Sequence, residues 1–271
     1  MGNVLTILVP VYNEANAVAA VVRRFYATTF PLEVEWIFID DCSTDGTQNI
    51  LKELQRQYGF VLKCHEKNQG KGAAISTGIA AAKGNFIVIQ DADFEYDPQD
   101  IGKLVVPLIE NQADVVFGSR FRQGSPQIHR TYHYFVNRFL TMMSNLLSGI
   151  YLTDMETCYK VFRSELLKSM KLSSPRFGVE IQLTAYVAKT RARVYELPVS
   201  YFPRTRLQGK KINWKDGVAA LFHLVRFNFG TTLDQAFRDL PVNYHPEMGG
   251  RAQLEPGTPQ GMKKESGEEI R

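Results

Sequence analysis

Phe86-Ile-Val-Ile-Gln-Asp-Ala-Asp-Phe-Glu-Tyr-Asp-Pro98 opens as an uninterrupted apolar run and ends in carboxylates. The run Phe86 to Ile89, rich in β-branched side chains, is the pattern of a strand covered on both faces in a parallel sheet. Asp91, Asp93, Glu95 and Asp97 then follow within seven residues. In open α/β sheets ligands collect beyond the carboxyl ends of the strands. Ala92 is small enough to let the carboxylates of Asp91 and Asp93 converge on one hard cation, which would keep positions open for water and phosphate. Asp97-Pro98 reads as the cap of the next helix. For Asp91 and Asp93, metal binding and helix capping are equally open from these residues alone.

Outward from this stretch, the same grammar repeats. Val4 to Val11 reads as a first strand ending in Pro10-Val-Tyr-Asn-Glu14, with Asn13 as the expected N-cap of a helix carrying Val18, Val21, Val22 and Phe25. Val34 to Ile39 reads as a second strand, closing in Asp40-Asp-Cys-Ser-Thr-Asp-Gly-Thr47 before another helix. Phe60 to Cys64 is a short third strand, followed by Asn68-Gln-Gly-Lys-Gly72 and a small-residue helix; Ala113 to Gly118 is a fifth, ending in Ser119-Arg120. Strands alternating with helices predict an α/β, doubly wound and mostly parallel sheet. The Gly70-Lys71-Gly72 turn lacks Walker A spacing, and the chain has no G-x-G-x-x-G fingerprint. Glycines before a helix still permit close approach of an anion, toward which Lys71 is a candidate.

The bulk numbers set limits. The 271 residues suit one large α/β domain, with 44% hydrophobic and 22% charged residues typical of a globular chain. A net charge of +4 is too mild to argue for nucleic acid. Cys42, Cys64 and Cys158 show no metal-type spacing, which fits a reducing compartment. No stretch reaches the ~18 consecutive apolar residues of a membrane span, and the start of the chain does not read as a secretory signal. A cytoplasmic location is expected, with attachment to a membrane face still allowed. Two segments fit such attachment: about 128–150, with Tyr132, Phe135, Phe139, Met143 and Leu146 at helical period, and about 214–229, with Val218, Leu221, Phe222 and Val225. Each could equally pack inward. Between them, Arg204, Arg206, Lys210 and Lys211 surround a glycine in a basic loop suited to a polyanion. A catalytic domain over 1–230 and a polar, disordered tail over 231–271 complete the expected organisation.

Taken in order, Val9-Pro-Val-Tyr-Asn-Glu14, Asp40-Asp41 with Ser43-Thr-Asp-Gly-Thr47, Gly70-Lys-Gly72, Gln90-Asp-Ala-Asp93 and Gly118-Ser-Arg120 resemble family 2 glycosyltransferases. Asp154-Met-Glu-Thr-Cys-Tyr-Lys160, Arg176-Phe-Gly-Val-Glu180 and the basic loop resemble the polyprenyl-phosphate (dolichol-phosphate) mannosyltransferase branch. The resemblance implies a GT-A (nucleotide-diphospho-sugar transferase) fold and an inverting transfer. It implies a nucleotide-sugar donor such as GDP-mannose or UDP-glucose, Mg²⁺ or Mn²⁺, and a polyprenyl phosphate acceptor at a membrane surface. Residue by residue, it puts Pro10, Tyr12, Glu14 and Asp41 around the nucleotide and Gln90 and Asp91 near the sugar and its phosphates. Asp91 and Asp93 would hold the metal, with Glu95 as a third candidate; Arg120 and Arg130 would grip the acceptor phosphate, and Arg204 and Arg206 would close over the donor. A phosphate acceptor is largely dianionic at neutral pH and needs arginines rather than a base, whereas a hydroxyl acceptor needs a general base, for which Asp154 and Glu156 are candidates. A soluble transferase acting on a saccharide or small-molecule hydroxyl is therefore the alternative. A degenerate membrane-surface scaffold is the non-enzymatic one, disfavoured by the intact acids and arginines.

Overall fold

The computed structural model describes residues 2–122, 131–174, 178–203 and 214–246. A seven-stranded sheet forms its centre, in the order β3-β2-β1-β4-β6-β5-β7. Strands β1 (Val4–Val11), β2 (Glu33–Asp40), β3 (Val61–Cys64) and β4 (Phe86–Ile89) are mutually parallel. They are linked by helices α1 (Val18–Tyr26), α2 (Thr47–Tyr58) and α3 (Lys71–Ala81). All four residues of β4 are buried, as its apolar run requires. Helix α4 (Gln99–Ile109) leads into β5 (Val115–Ser119).

β6 (Lys160–Arg163) was not expected from the sequence. It inserts between β4 and β5, antiparallel to both, while β7 (Val194–Pro198) pairs in parallel with β5. Two reversals cancel, so β5 and β7 run in the same sense as β1 to β4. The carboxyl ends of β1, β2, β4, β5 and β7 therefore share one edge of the sheet, and the loop that enters β6, residues 149–159, arrives at that same edge.

Helix α3 lies close on the sheet because Gly78 lets it. A Cβ there would stand 2.9 Å from Ile39 Cδ1 and 3.0 Å from Leu8 Cδ2. Beyond β5, α5 (Thr131–Ser148), α6 (Ser164–Ser169), α7 (Val179–Ala188) and α8 (Trp214–Asn228) cover the remaining flank. Residues Val179 to Val187 of α7 are all buried, with α5 and α8 packed against it.

One local expectation needs correction. Asn13 does not cap α1, whose N-cap is Ala17 without a side-chain bond. Asn13 instead sits at φ 53° and ties two loops together, accepting from Thr44 N and donating its own N–H to Ser43 Oγ. Asp97 does hold the start of α4, accepting from Gln99 N at 3.1 Å, with Pro98 at the N-cap position.

The polar tail expected from residue 231 also begins later than its composition suggests. Thr232 forms a capping box on α9 (Leu233–Ala236), and a 3₁₀ turn follows over Val242–Tyr244. Backbone bonds Lys171 N to Ala236 O and Arg238 N to Ser169 O stitch this segment to the body. Phe237 packs 5.7 Å from the Tyr186 ring, and Tyr244 donates to Glu165 Oε1. A few aromatic anchors suffice to hold a segment whose average composition is polar; the expected tail beyond 246 lies outside the described residues. Phe237→Ala should cost about 3–5 kcal/mol of stability, measured by urea unfolding. An unchanged midpoint would mean that this segment is a loose appendage.

Candidate active site

The acids converge where the strand directions place them, but their side chains divide into those still facing outward and those already engaged. Asp41, at the end of β2, accepts from Gln69 N at 2.9 Å, Gly70 N at 2.6 Å and His65 Nδ1 at 2.7 Å. His65 is fixed in turn by Thr77 Oγ1 at 2.9 Å. Asp41 is thus engaged in shaping the loop before α3. Its neighbour Asp40 has what Asp41 lacks. It is fully buried, uses Oδ2 to accept from Ser43 N, and has an Oδ1 that accepts no hydrogen bond. The doublet was visible in the sequence, but which member retained an acceptor was not.

Gly70, at φ 90° and ψ 166°, turns the chain so that α3 begins with Lys71. The Lys71 ammonium lies 2.8 Å from Asp91 Oδ1 and 2.9 Å from Glu180 Oε1. Burial opposes its charge, but Asp91 foremost, with Cys158 and Glu180, holds its pKa well above the ordinary lysine value. Lys71 therefore faces the site as a committed cation.

At the end of β4, Gln90 is completely buried, bonding the Asp91 carbonyl at 2.9 Å and accepting from the Tyr159 hydroxyl. It supports the acidic loop from beneath. Asp91 and Asp93 are partly exposed, and Asp93 Oδ1 accepts from Glu95 N. Glu95 Oε2 accepts from the Tyr201 hydroxyl at 3.0 Å, and Glu95 O from Phe202 N. The segment from which the basic loop departs is thereby docked on the acidic loop. Pro10, Tyr12 and Glu14 line the same edge at the end of β1, where Tyr12 is exposed and Glu14 N donates to Thr47 Oγ1.

The donor set suits a hard divalent cation, since Asp91 and Asp93 offer carboxylate oxygens at an open loop. Among the described residues no three His, Cys, Asp or Glu side chains enclose a metal site. An ion on Asp91 and Asp93 would complete its shell with phosphate oxygens and water, the habit of Mg²⁺ and Mn²⁺. Glu95, tied to Tyr201, is the weakest of the three expected ligands.

Arg120, just past β5, forms a two-pronged pair with Asp154, Nε to Oδ2 at 2.6 Å and Nη2 to Oδ1 at 2.7 Å, and its backbone N–H adds a third bond to Oδ2 at 3.0 Å. Burial disfavours the carboxylate, but the Arg120 charge outweighs it and lowers the Asp154 pKa below the usual range. Asp154 is wholly buried and held ionised, so it does not serve as a base toward an outside hydroxyl. Arg120 still has N–H groups to offer, but its charge is compensated. Its guanidinium also lies 5.1 Å from the Tyr201 ring centre and 5.7 Å from that of Phe121. Arg130, Arg204 and Arg206 lie outside the described residues.

Two acids near Lys71 were only partly anticipated. Glu156 is half-buried; burial first, then the Glu180 carboxylate, push its pKa up to about 7. Glu156 Oε1 and Glu180 Oε2 both lack a hydrogen-bond partner. Only spacing across more than twenty residues links them in sequence, which no local pattern exposes.

The similarity to known proteins agrees with this arrangement. Residues 6–170, more than half of the chain, match the model of the family described as Glycosyl transferase family 2. A dodecaprenyl-phosphate galacturonate synthase of Rhizobium johnstonii is 29% identical, over 90% of this chain and 71% of its own. A UDP-N-acetylglucosamine–dolichyl-phosphate N-acetylglucosaminyltransferase of Methanococcus voltae is 26% identical, over 84% and 97%. Glucosyl-3-phosphoglycerate synthase of Mycobacterium tuberculosis, solved with Mn²⁺, UDP-glucose and phosphoglyceric acid, shares the fold. Its TM-score is 0.63 with 20% identity, over 83% of this chain and 79% of that one. The expected GT-A architecture is thus the one observed.

Asp154→Asn should lower stability by roughly 3–5 kcal/mol, because it strands the buried Arg120 charge. The pairing contribution should persist at neutral pH and fade only as pH falls through the depressed folded pKa of Asp154. Chemical denaturation of both proteins across pH 3 to 8 checks this. A fully stable variant that has merely lost activity would instead restore Asp154 as a catalytic acid–base.

Proposed function

We propose that this chain, which belongs to glycosyl transferase family 2, moves a hexose with inversion from a nucleotide-sugar to the phosphate of a polyprenyl phosphate at a membrane surface. Mannose or glucose is the proposed sugar, with guanosine or uridine diphosphate as leaving group. The two relatives named above are, by name, enzymes of dodecaprenyl- and dolichyl-phosphate, which supports a lipid-linked phosphate as acceptor.

The observation that carries the proposal is a continuous path from Arg120 to an uncovered apolar face. Arg120 touches Phe121, whose ring meets Tyr134 of α5 edge-on at 5.5 Å. From there Phe135, Phe139, Met142 and Leu146, spaced four, three and four residues apart, form an exposed row along α5. Leu221, Phe222 and Val225 of α8 are exposed as well, as is Phe229 just past its end, and α8 packs against α5. No acidic residue occurs in α5. A lipid whose tail rests on this face can present its phosphate to the Arg120 N–H groups, a short phosphate clamp at a wet boundary. No helix of the described residues is long and apolar enough to cross a membrane.

At the other end, Asp91 and Asp93 are the residues that would hold Mg²⁺ or Mn²⁺, and the ion's chemistry is neutralisation of the departing diphosphate. Lys71 contributes a fixed positive charge beside Asp91, and the glycines of its turn open the backbone to the phosphates. A phosphate acceptor needs no base, which agrees with an Asp154 locked to Arg120. The hydroxyl-acceptor alternative loses Asp154 and would have to rely on Glu156.

In a product assay, purified protein with radiolabelled GDP-mannose or UDP-glucose, divalent metal and a short polyprenyl phosphate in detergent should carry label into the organic phase only with metal. Asp91→Ala should reduce that transfer by about a hundredfold or more while leaving the unfolding midpoint near wild type. Label that stays aqueous while a saccharide hydroxyl is modified would replace the lipid acceptor. Separately, Phe135→Ser with Phe222→Ser should remove most cosedimentation with phospholipid vesicles. Equal binding by the double variant would mean that these helices face something other than lipid.

A further inference from the structure

The carboxylates around Lys71 exceed what the reaction described above requires. Asp91, Lys71 and Glu180 form a row in which side-chain exposure falls from 26% through 18% to 10%, so the row opens outward at Asp91 and closes at Glu180. Glu156 adjoins its inner end, close enough for the Glu180 charge to act on it. One oxygen of each carboxyl, Glu156 Oε1 and Glu180 Oε2, is enclosed and makes no hydrogen bond. An enclosed acceptor left unsatisfied costs about 1–3 kcal/mol, and here two occur on neighbouring carboxyls beside the loop that would hold the donor's diphosphate. Natural structures seldom leave such a set unfilled unless a ligand or water completes it.

The cations of the cluster are equally informative. Lys71 is shared between Asp91 and Glu180. Lys160 is fully buried and donates to the carbonyls of Met155 and Thr157. Arg120 is paired with Asp154. Each described cation in the cluster is therefore committed to an acceptor within the chain. A ligand arriving here meets acceptors and carboxyl groups, which suit hydroxyls; a ligand carboxylate would meet repulsion without a counter-charge of its own.

We propose that Glu156 and Glu180 form the hydroxyl-reading wall of the donor-sugar pocket, and that this wall selects a neutral hexose over a uronic acid. The proposal rests on the nucleotide-sugar assignment above and narrows its substrate class. It separates this chain from the galacturonate synthase it resembles. The protonation of Glu156 tunes the wall. With a folded pKa of about 7, its carboxyl is largely protonated at pH 6, able both to donate to and accept from a sugar hydroxyl. At pH 8 it is largely ionised and adds a negative charge facing Glu180, Asp154, Lys160 and Arg120, with Cys158 and Lys71 nearby. Rejection of a uronate should accordingly strengthen as pH rises.

The test is calorimetric titration of the intact protein with Mn²⁺ present. The titrants are UDP and GDP, their neutral sugar esters UDP-glucose and GDP-mannose, and the uronic esters UDP-glucuronate and GDP-mannuronate. The preferred diphosphate should bind, its neutral ester should bind at least as tightly, and its uronic ester should be weaker than the neutral one by about tenfold or more. That ratio should grow between pH 6 and pH 8. Glu156→Gln should leave affinity for the bare diphosphate within about twofold and abolish the pH dependence of the ratio. Equal or tighter binding of the uronic ester overturns the wall while leaving the nucleotide-sugar assignment intact. Loss of bare-diphosphate binding in Glu156→Gln, with a lowered unfolding midpoint, overturns it by making Glu156 a structural residue. Failure of wild-type protein to bind either diphosphate removes the donor site, and the wall with it.

Discussion

One partly buried ammonium, that of Lys71, organises this edge of the sheet. Lys71 sits between a carboxylate from the β4 loop and one from α7, so three elements distant in sequence share one charge. Its position is set by a chain of local causes. Gly78 allows α3 to lie against Leu8 and Ile39, Gly70 adopts a conformation that L side chains avoid, and Asp41 gathers the backbone N–H groups of Gln69 and Gly70. An acid of the second strand thereby positions a base of the third helix, which in turn positions an acid of the fourth strand. Burying such a set costs desolvation, and its Coulomb attraction repays that cost only when geometry is tight. What the arrangement supplies is preorganisation, with charges held in place before a diphosphate arrives.

The other end of the edge uses the same device with a different result. Arg120 and Asp154 satisfy one another so fully that neither presents uncompensated charge. For a phosphate acceptor this is workable, because the remaining guanidinium N–H groups still confer direction. For a hydroxyl acceptor it removes the most obvious base. The pair thus bears on acceptor class through protonation rather than shape: the pKa of Asp154 is driven down by Arg120, whereas Glu156, two residues later, is driven up by burial and Glu180. Divergent environments for neighbouring carboxyls are a mark of assigned roles.

The layout of the fold was legible because strand and loop chemistry is local. β1 matches its expected bounds, and β4 shows the full burial that an apolar run of four predicts. Strand direction then carried the acids to one edge without further information. What stayed hidden was the use of each side chain. Sequence places Gln90 and Asp41 beside the site but does not reveal that Tyr159, Asp91 O and the α3 loop consume them. β6 was invisible for a related reason: only four residues long, it begins with a lysine whose burial depends on carbonyls from its own preceding loop. The folded segment 231–246 escaped because Phe237, Leu240 and Tyr244 are isolated apolar residues in polar surroundings, and periodicity cannot register single anchors.

The apolar face raises a question of energetic direction. In an ordinary surface helix the larger side chains turn inward and the small polar ones outward. In α5 that order is partly inverted: Thr141 and Ser144 are buried, whereas Phe135 and Leu146 are 64% and 71% exposed. The inward polar groups are used, Thr141 Oγ1 accepting from Met155 N and so steadying the loop that carries Asp154 and Glu156. Helix α7 beneath is buried almost all round, so the core has no need of the aromatics turned away from it. Contiguous apolar surface of this kind is costly in water and marks a place of association. Because its near end meets Phe121, and Phe121 meets Arg120, whatever covers α5 and α8 also lies against the Arg120 end of the site. The proposed polyprenyl phosphate would satisfy both demands with one molecule, its tail covering the helices and its phosphate meeting the arginine.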